Sequence, residues 1–152
     1  MVAFGGVEHF MRQLPGVLIA EVGYCGGTID EPSYEQVCTG QTGHLEAIRI
    51  IFDKTKTNFD AIIRLFFNIH DPTQSNSQGP DIGAQYHSAI FYYDEPQFLI
   101  ASSLMEQLKQ KGLNVATTLN KASAFWKAED YHQQYYAKHQ KLPYCHRFTK
   151  RI

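Results

Sequence analysis

The chain has 152 residues, 43% of them hydrophobic and 19% charged, which is an ordinary balance for a globular domain able to bury a core. A net charge of -1 gives no electrostatic footing for nucleic acid or an anionic membrane, and no apolar run approaches the roughly 20 residues that span a bilayer. Three cysteines without a disulfide-like spacing point to a reducing compartment; the expectation is a cytoplasmic monomer with one domain over residues 1–152.

In chain order, Glu8, His9 and Phe10 followed by the Leu14-Pro15-Gly16 stop read as a first helix. The residues before it, Ala3, Phe4, Gly5 and Gly6, fill a turn where α/β enzymes often keep a nucleophile, and Val2–Phe4 is open to a strand reading. Val17–Tyr24 is a β-branched apolar run ended by Gly26-Gly27, hence a strand. Residues 28–43 form a polar loop with one helical turn around Ser33–Cys38. Leu45–Phe52 is a second strand, followed by the polar turn DKTKT. Phe59, Ile62, Ile63, Phe66 and Phe67 recur at helical spacing behind a cap at Thr57 or Asn58. Asp71-Pro72 ends that helix and opens a long Ser/Gln/Gly/Pro loop to Gln85, a length often tied to function. Ser88–Tyr93 returns as a strand. Pro96 and Gly112 frame a helix carrying Leu99, Leu104, Met105 and Leu108. Val115–Leu119 reads as a short strand and Glu129–Lys138 as a Tyr-rich helix. The alternation predicts an α+β fold, a mixed sheet with helices packed on it.

Glu46 is the most informative single residue. In HLEAIRIIF alternation sets it on the side of Ile48, Ile50 and Phe52, with Arg49 opposite. A carboxyl group on an apolar face is driven toward its neutral form, which suits a proton donor. The plainer alternative is a strand-end carboxylate that reaches water or pairs with His44. Tyr34 and Tyr86 can donate phenolic hydrogen bonds, although tyrosines commonly serve as core or rim residues. Asp81 among the glycines of QGPDIGAQY fits an Asx-type turn.

Taken together, VEHFMRQLPGV, GYCGG, PSYEQVCTGQTGHLEAI, DPT, QGPDIGAQYHSAI and AEDYHQQYY resemble the A-type peptide methionine sulfoxide reductases along nearly the whole chain. The resemblance implies their α+β fold and their reaction, in which a thiolate at the first helix attacks the sulfur of methionine (S)-sulfoxide. Methionine leaves and a sulfenic acid remains, to be resolved by a second cysteine or an external reductant such as thioredoxin. By position it implies Glu46 as the acid, Tyr34 and Tyr86 as the hydroxyls holding the sulfoxide oxygen, Asp81 as an organiser of the pocket, Phe4 as an aromatic wall for the S-methyl group, and Cys145 as the resolving thiol. Methionine sulfoxide, free or in proteins, would be the substrate, in protein repair under oxidative stress, with no cofactor.

One motif departs from the family. Its Gly-Cys-Phe-Trp-Gly precedes Val-Glu, and sliding back from Val7-Glu8 without a gap puts Ala3 at the cysteine, Phe4 at the phenylalanine and Gly5 at the tryptophan. A second alignment takes Val2-Ala3-Phe4-Gly5-Gly6 as the incoming strand and glycines, with the nucleophile tripeptide and its neighbouring glycine deleted; both leave no cysteine at the nucleophile position. An alanine methyl cannot ionise, so a thiolate step at that position is unavailable. Cys25 and Cys38 fit small structural residues, and Cys145 beside His146 gains no reactivity from sequence adjacency alone. Two functions compete, a reductase drawing on another cysteine and a non-catalytic methionine-sulfoxide-binding protein. A metal site from His132, His139, Cys145 and His146 is not expected, because His132 and His139 stand about two helical turns apart.

Overall fold

The antiparallel ladder between β1 (Val17–Cys25) and β2 (Leu45–Phe52) runs from Val17 opposite Phe52 to Cys25 opposite Leu45. The computed structural model describes residues 2–74, 77–78, 81–83, 86–129, 133 and 148–152, with the backbone alone at 2–5, 77–78 and 81–82. β7 (Phe125–Lys127), not anticipated as a strand, adds antiparallel to the other side of β1, giving the order β2-β1-β7. Gly23 permits this addition. A Cβ there would lie 2.4 Å from the Phe125 ring and 2.5 Å from the Trp126 carbonyl oxygen, so no side chain fits between the strands.

β3 (Ser77–Gln78) and β4 (Asp81–Ile82) form a minimal hairpin inside the long loop. β5 (Ala89–Tyr92) and β6 (Thr118–Lys121) pair in parallel. Antiparallel and parallel pairings with helices packed beside them make the α+β architecture expected from the alternation, the pairings lying in separate sheets among the described residues. β6 begins three residues later than the Val115–Leu119 reading because its register is set by Thr118 opposite Ala89.

α1 (Val2–Arg12) takes in Val2–Phe4, correcting the strand reading of that segment. It continues back through Gly5-Gly6, whose cost in a helix, about 1 kcal/mol each against alanine, is offset by packing of its later turns on β1 and β2. α2 (Tyr34–Cys38) is the anticipated helical turn. α3 (Phe59–Ile69) is capped by Asn58, whose side chain accepts from the Ala61 N–H at 2.8 Å; this decides between Thr57 and Asn58. α4 (Glu95–Gln110) is capped by Asp94, with Pro96 in its first turn.

The largest buried cluster joins Ile63 and Phe67 of α3, Ile90 of β5, and Ala101, Leu104 and Leu108 of α4. Leu99, expected on that face, is 57% exposed. The stripe at Ala101, Leu104 and Leu108 defines the inner face, and at about 100° per residue Leu99 falls nearly opposite it. A second cluster, Val22, Tyr24, Val37 and Ala128 with Ile48 and Tyr34 packed against it, lies between β1, β2 and α2. Among the described residues no helix is long and apolar enough to cross a membrane. The expected Glu129–Lys138 helix lies outside the described residues apart from Glu129 and Gln133.

Candidate functional site

The loop between β1 and α2 is fixed first. The Gly27 N–H donates to His44 Nδ1 at 3.1 Å, and His44 Nε2–H donates to the Ile29 carbonyl at 2.6 Å. This pairing assigns the tautomer. A Cβ on Gly27 would sit 2.5 Å from His44 Cγ, from the His44 nitrogen and from the Thr42 carbonyl oxygen. Both ring nitrogens of His44 are thus engaged by the loop backbone, which answers the alternative that His44 serves as the partner of Glu46.

Glu46 stands opposite Tyr24 in the β1–β2 ladder, and Arg49 stands opposite Glu21. Arg49 forms an ion pair with Glu21 at 2.6 Å and lies over the Phe125 ring, 4.5 Å from its centroid. The alternation read from the sequence therefore holds: Tyr24 is fully buried on the Glu46 side and the arginine is on the other. Glu46 is half-buried, with Oε2 shielded from solvent.

Tyr34 is set by a capping box. Ser33 Oγ accepts from the Gln36 N–H at 3.2 Å while Gln36 Oε1 accepts from the Ser33 N–H at 2.8 Å, a reciprocal pair that fixes the first turn of α2. The Tyr34 phenol is held well above its ordinary pKa, first by burial, then by its hydrogen bond with Cys38 and by the nearby Tyr86 and Glu46 groups. It therefore remains a protonated donor at any physiological pH. That influence puts the groups of Glu46 and Tyr86, from β2 and the segment before β5, within electrostatic reach of Tyr34 in α2.

Tyr86 follows β4 in a tight turn, its N–H donating to the Gly83 carbonyl at 3.1 Å. Two residues on, Ser88 Oγ bridges His70 Nε2 at 2.7 Å and Thr117 Oγ1 at 2.7 Å, and the other ring nitrogen of His70 meets the Phe66 carbonyl. Burial lowers the His70 pKa to about 4, Arg151 adding to the effect against the Phe66 carbonyl and Asp71. The ring is neutral and accepts from Ser88, locking the segment between Tyr86 and β5 to the end of α3.

Glu46 and Tyr86 line a cavity of about 240 Å³ with Cys25, Phe125, Val7 and Met11 among its other walls. Drug-sized pockets run to roughly 300–1,000 Å³; this volume suits one amino-acid side chain. Its walls are largely apolar, and its polar lining includes Arg49, His70 and Tyr93 besides Glu46 and Tyr86. Ala3 and Phe4 lie in the first turn of α1, and Ala3 is one turn before the cavity-lining Val7. Asp81 lies in β4 opposite Gln78, on the segment that leads to Tyr86. Cys145, with His132, His139 and His146, falls outside the described residues.

Cys25 is buried and its thiol is pushed up to about 12 by burial, so it supplies no thiolate near neutral pH. Cys38 is exposed at the end of α2. Sequence reasoning missed Tyr24 and Glu129. The Tyr24 hydroxyl donates to Glu129 Oε1 at 2.9 Å, and Glu129 Oε2 accepts from the Tyr34 N–H at 3.2 Å. The register of β1 against β2, which puts Tyr24 opposite Glu46, was not readable from the sequence, and nothing local signalled a carboxylate 105 residues away.

The sequence model of the family described as peptide methionine sulfoxide reductase matches residues 2–151. The chain is 46% identical over 147 residues to a peptide methionine sulfoxide reductase MsrA of Nautilia profundicola, covering 93% of this chain and 85% of that protein. Its fold is similar to that of reduced Mxr1 from Saccharomyces cerevisiae, with a TM-score of 0.89, 32% identity, and 96% and 87% of the two chains covered. Mxr1 in complex with Trx2 also matches, at a TM-score of 0.61 and 19% identity over 95% and 82% of the chains, a likeness of fold alone.

Proposed function

The chain belongs to the peptide methionine sulfoxide reductase family, and from that premise we propose that residues 1–152 form a domain whose site takes methionine (S)-sulfoxide, free or in proteins. Glu46 and Tyr86 lining one largely apolar cavity, with Tyr34 within their electrostatic reach, is the observation that carries the reading. A sulfoxide oxygen bears substantial negative charge, and two phenols with a carboxylic acid supply it with up to three donors. The apolar walls take the methionine chain, and family position assigns Phe4 to binding the substrate and Asp81 to organising the pocket.

The reaction this set serves is reduction to methionine. A thiol attacks the sulfoxide sulfur and forms an S–S bond while Glu46 protonates the sulfoxide oxygen. That oxygen then passes to the thiol sulfur as the S–S bond and its own bond to the methionine sulfur break, leaving a sulfenic acid and methionine, and the thiol proton restores Glu46. A dithiol then returns the thiol and releases water. Cys145 is the proposed resolving residue. A thioredoxin is the proposed electron source, with the chain a cytoplasmic monomer serving repair after oxidation.

Ala3 occupies the position where the family motif has its nucleophile. Its methyl group favours a second reading, a protein that binds methionine sulfoxide without turning it over. Single turnover separates the two. Reduced protein in excess over a methionine (S)-sulfoxide peptide, followed by mass spectrometry of both, yields methionine and an oxidised cysteine if another thiol acts. Binding without conversion establishes the second reading, and neither binding nor conversion refutes the assignment of the site.

A further inference from the structure

We propose that Glu129 is the positioning residue of the sulfoxide-binding site, a single carboxylate that sets Tyr34 against Glu46. This inference deepens the function proposed above and rests on it for the identity of the ligand. Glu129 Oε1 accepts from the Tyr24 hydroxyl at 2.9 Å, and Glu129 Oε2 accepts from the Tyr34 backbone N–H at 3.2 Å. Tyr24 is fully buried and stands directly opposite Glu46 in the β1–β2 ladder. One side chain therefore ties the immediate cross-strand neighbour of the acid to the backbone of the phenol that faces it.

The support beneath Glu129 is itself anchored. The Ala128 N–H donates to the Val22 carbonyl at 2.9 Å, carrying the chain one step past the end of β7 along β1. There Gln133 takes over the role of a strand. Its Oε1 accepts from the Val22 N–H at 3.0 Å, and its Nε2 donates to the Val22 carbonyl and the Ala128 carbonyl, each at 2.9 Å. The side-chain amide thus meets both backbone groups of Val22 where a neighbouring strand would otherwise pair. Held from both sides, residues 128–129 leave the Glu129 carboxylate little freedom, and a charged acceptor makes the stronger kind of hydrogen bond.

α2 has only five residues and cannot hold its own place by helical cooperativity. Ser33 and Gln36 fix its internal geometry, and Val37 packs in the cluster with Tyr24. Glu129 supplies a polar tether at the first turn, where helix N–H groups lack intrahelical partners. Without it Tyr34 can drift, and a donor displaced by even half an ångström from a sulfoxide oxygen loses much of its worth.

Two variants separate geometry from charge. Glu129→Gln removes the charge but keeps both contacts, because its oxygen can accept from Tyr34 while its amide donates to the Tyr24 oxygen. Glu129→Ala removes both. With tyrosine labelled at Cζ, and the Tyr34 resonance assigned through Tyr34→Phe, a 13C pH titration without ligand should show Tyr34 ionising earlier in Glu129→Ala than in Glu129→Gln. In calorimetry with blocked methionine (S)-sulfoxide and blocked methionine, the sulfoxide preference should fall roughly five- to tenfold in Glu129→Ala. It should stay within about twofold of wild type in Glu129→Gln, with methionine affinity unchanged in both.

Equal Tyr34 titrations in the two variants, or parallel loss of sulfoxide and methionine binding, would overturn the proposal. Should Glu129→Ala not fold, Tyr24→Phe carries the test by cutting one tether, with the same divergence at reduced size. A wild-type protein without sulfoxide preference whose variants still differ in Tyr34 titration would refute the ligand assignment and leave the role of Glu129 standing.

Discussion

His70 makes a prediction that acid alone can test. Its ring is buried and accepts from Ser88, and burial lowers its pKa from an ordinary 6.5 to about 4. Between those values the unfolded chain binds a proton that the folded chain refuses, so stability rises with pH through the window and is lost as pH falls from 6.5 toward 4. The full shift corresponds to about 3 kcal/mol, with roughly 2 kcal/mol of it gone by about pH 5. That is a large share of the 5–15 kcal/mol stability of a typical domain, about which single groups rarely decide so much. Asp71 acts in a separate window. Burial pushes its carboxyl up, but hydrogen bonds from Thr73 and the positive field of Arg151, joined by His70 once that ring is protonated, leave it below its ordinary value. Its contribution therefore disappears only at pH below the ordinary carboxylate range. Urea unfolding of wild type and His70→Gln from pH 7 down to about 4.5 isolates the histidine, since glutamine does not titrate. The wild type should lose about 2–3 kcal/mol more than the variant across that range. Parallel curves would show that His70 protonates without penalty and would refute the neutral Ser88–His70 lock.

Three further outcomes follow from particular contacts. Gly27→Ala places a methyl 2.5 Å from His44 and from the Thr42 carbonyl and should cost about 1–3 kcal/mol in denaturant melts. Asn68 is buried and receives the Arg151 and Ile152 N–H groups at 2.7 and 3.1 Å while donating to the Ile152 carbonyl at 3.1 Å; Asn68→Ala should lower stability by about 2–4 kcal/mol and expose the 148–152 segment to protease. In native protein at pH 8, iodoacetamide should modify exposed Cys38 quickly and buried Cys25 only after unfolding, as peptide mapping would report.

The α3 stripe and the β1–β2 pair were legible because each repeats one period over many residues. The side of β2 on which Glu46 lies followed from alternation alone, and the ladder bears it out through Tyr24 and Arg49. Short elements escaped for want of a period. β7 has three residues, and its place is set by Gly23 and Phe125, far apart in sequence. The start of α1 was obscured by Gly5-Gly6, which local propensity marks as a turn and tertiary packing keeps helical. Glu46 was singled out through alternation and Tyr34 and Tyr86 through the family motifs, whereas the Glu129 bridge joins residues about a hundred positions apart and has no local signature. His44 was read as one alternative partner for Glu46. It sits beside Glu46 in sequence but serves the Gly27 turn.

The central claim is that Tyr34, Glu46 and Tyr86 together select the sulfoxide oxygen. Calorimetric titration with blocked methionine (S)-sulfoxide, its (R) epimer and methionine, on wild type and on Tyr34→Phe, Glu46→Gln and Tyr86→Phe, tests it most directly. The account predicts at least about tenfold tighter binding of the (S) epimer than of either alternative, with each tyrosine variant losing roughly fivefold of that preference and none of its methionine binding. Equal affinity for all three ligands, or a preference that survives every substitution, would contradict it.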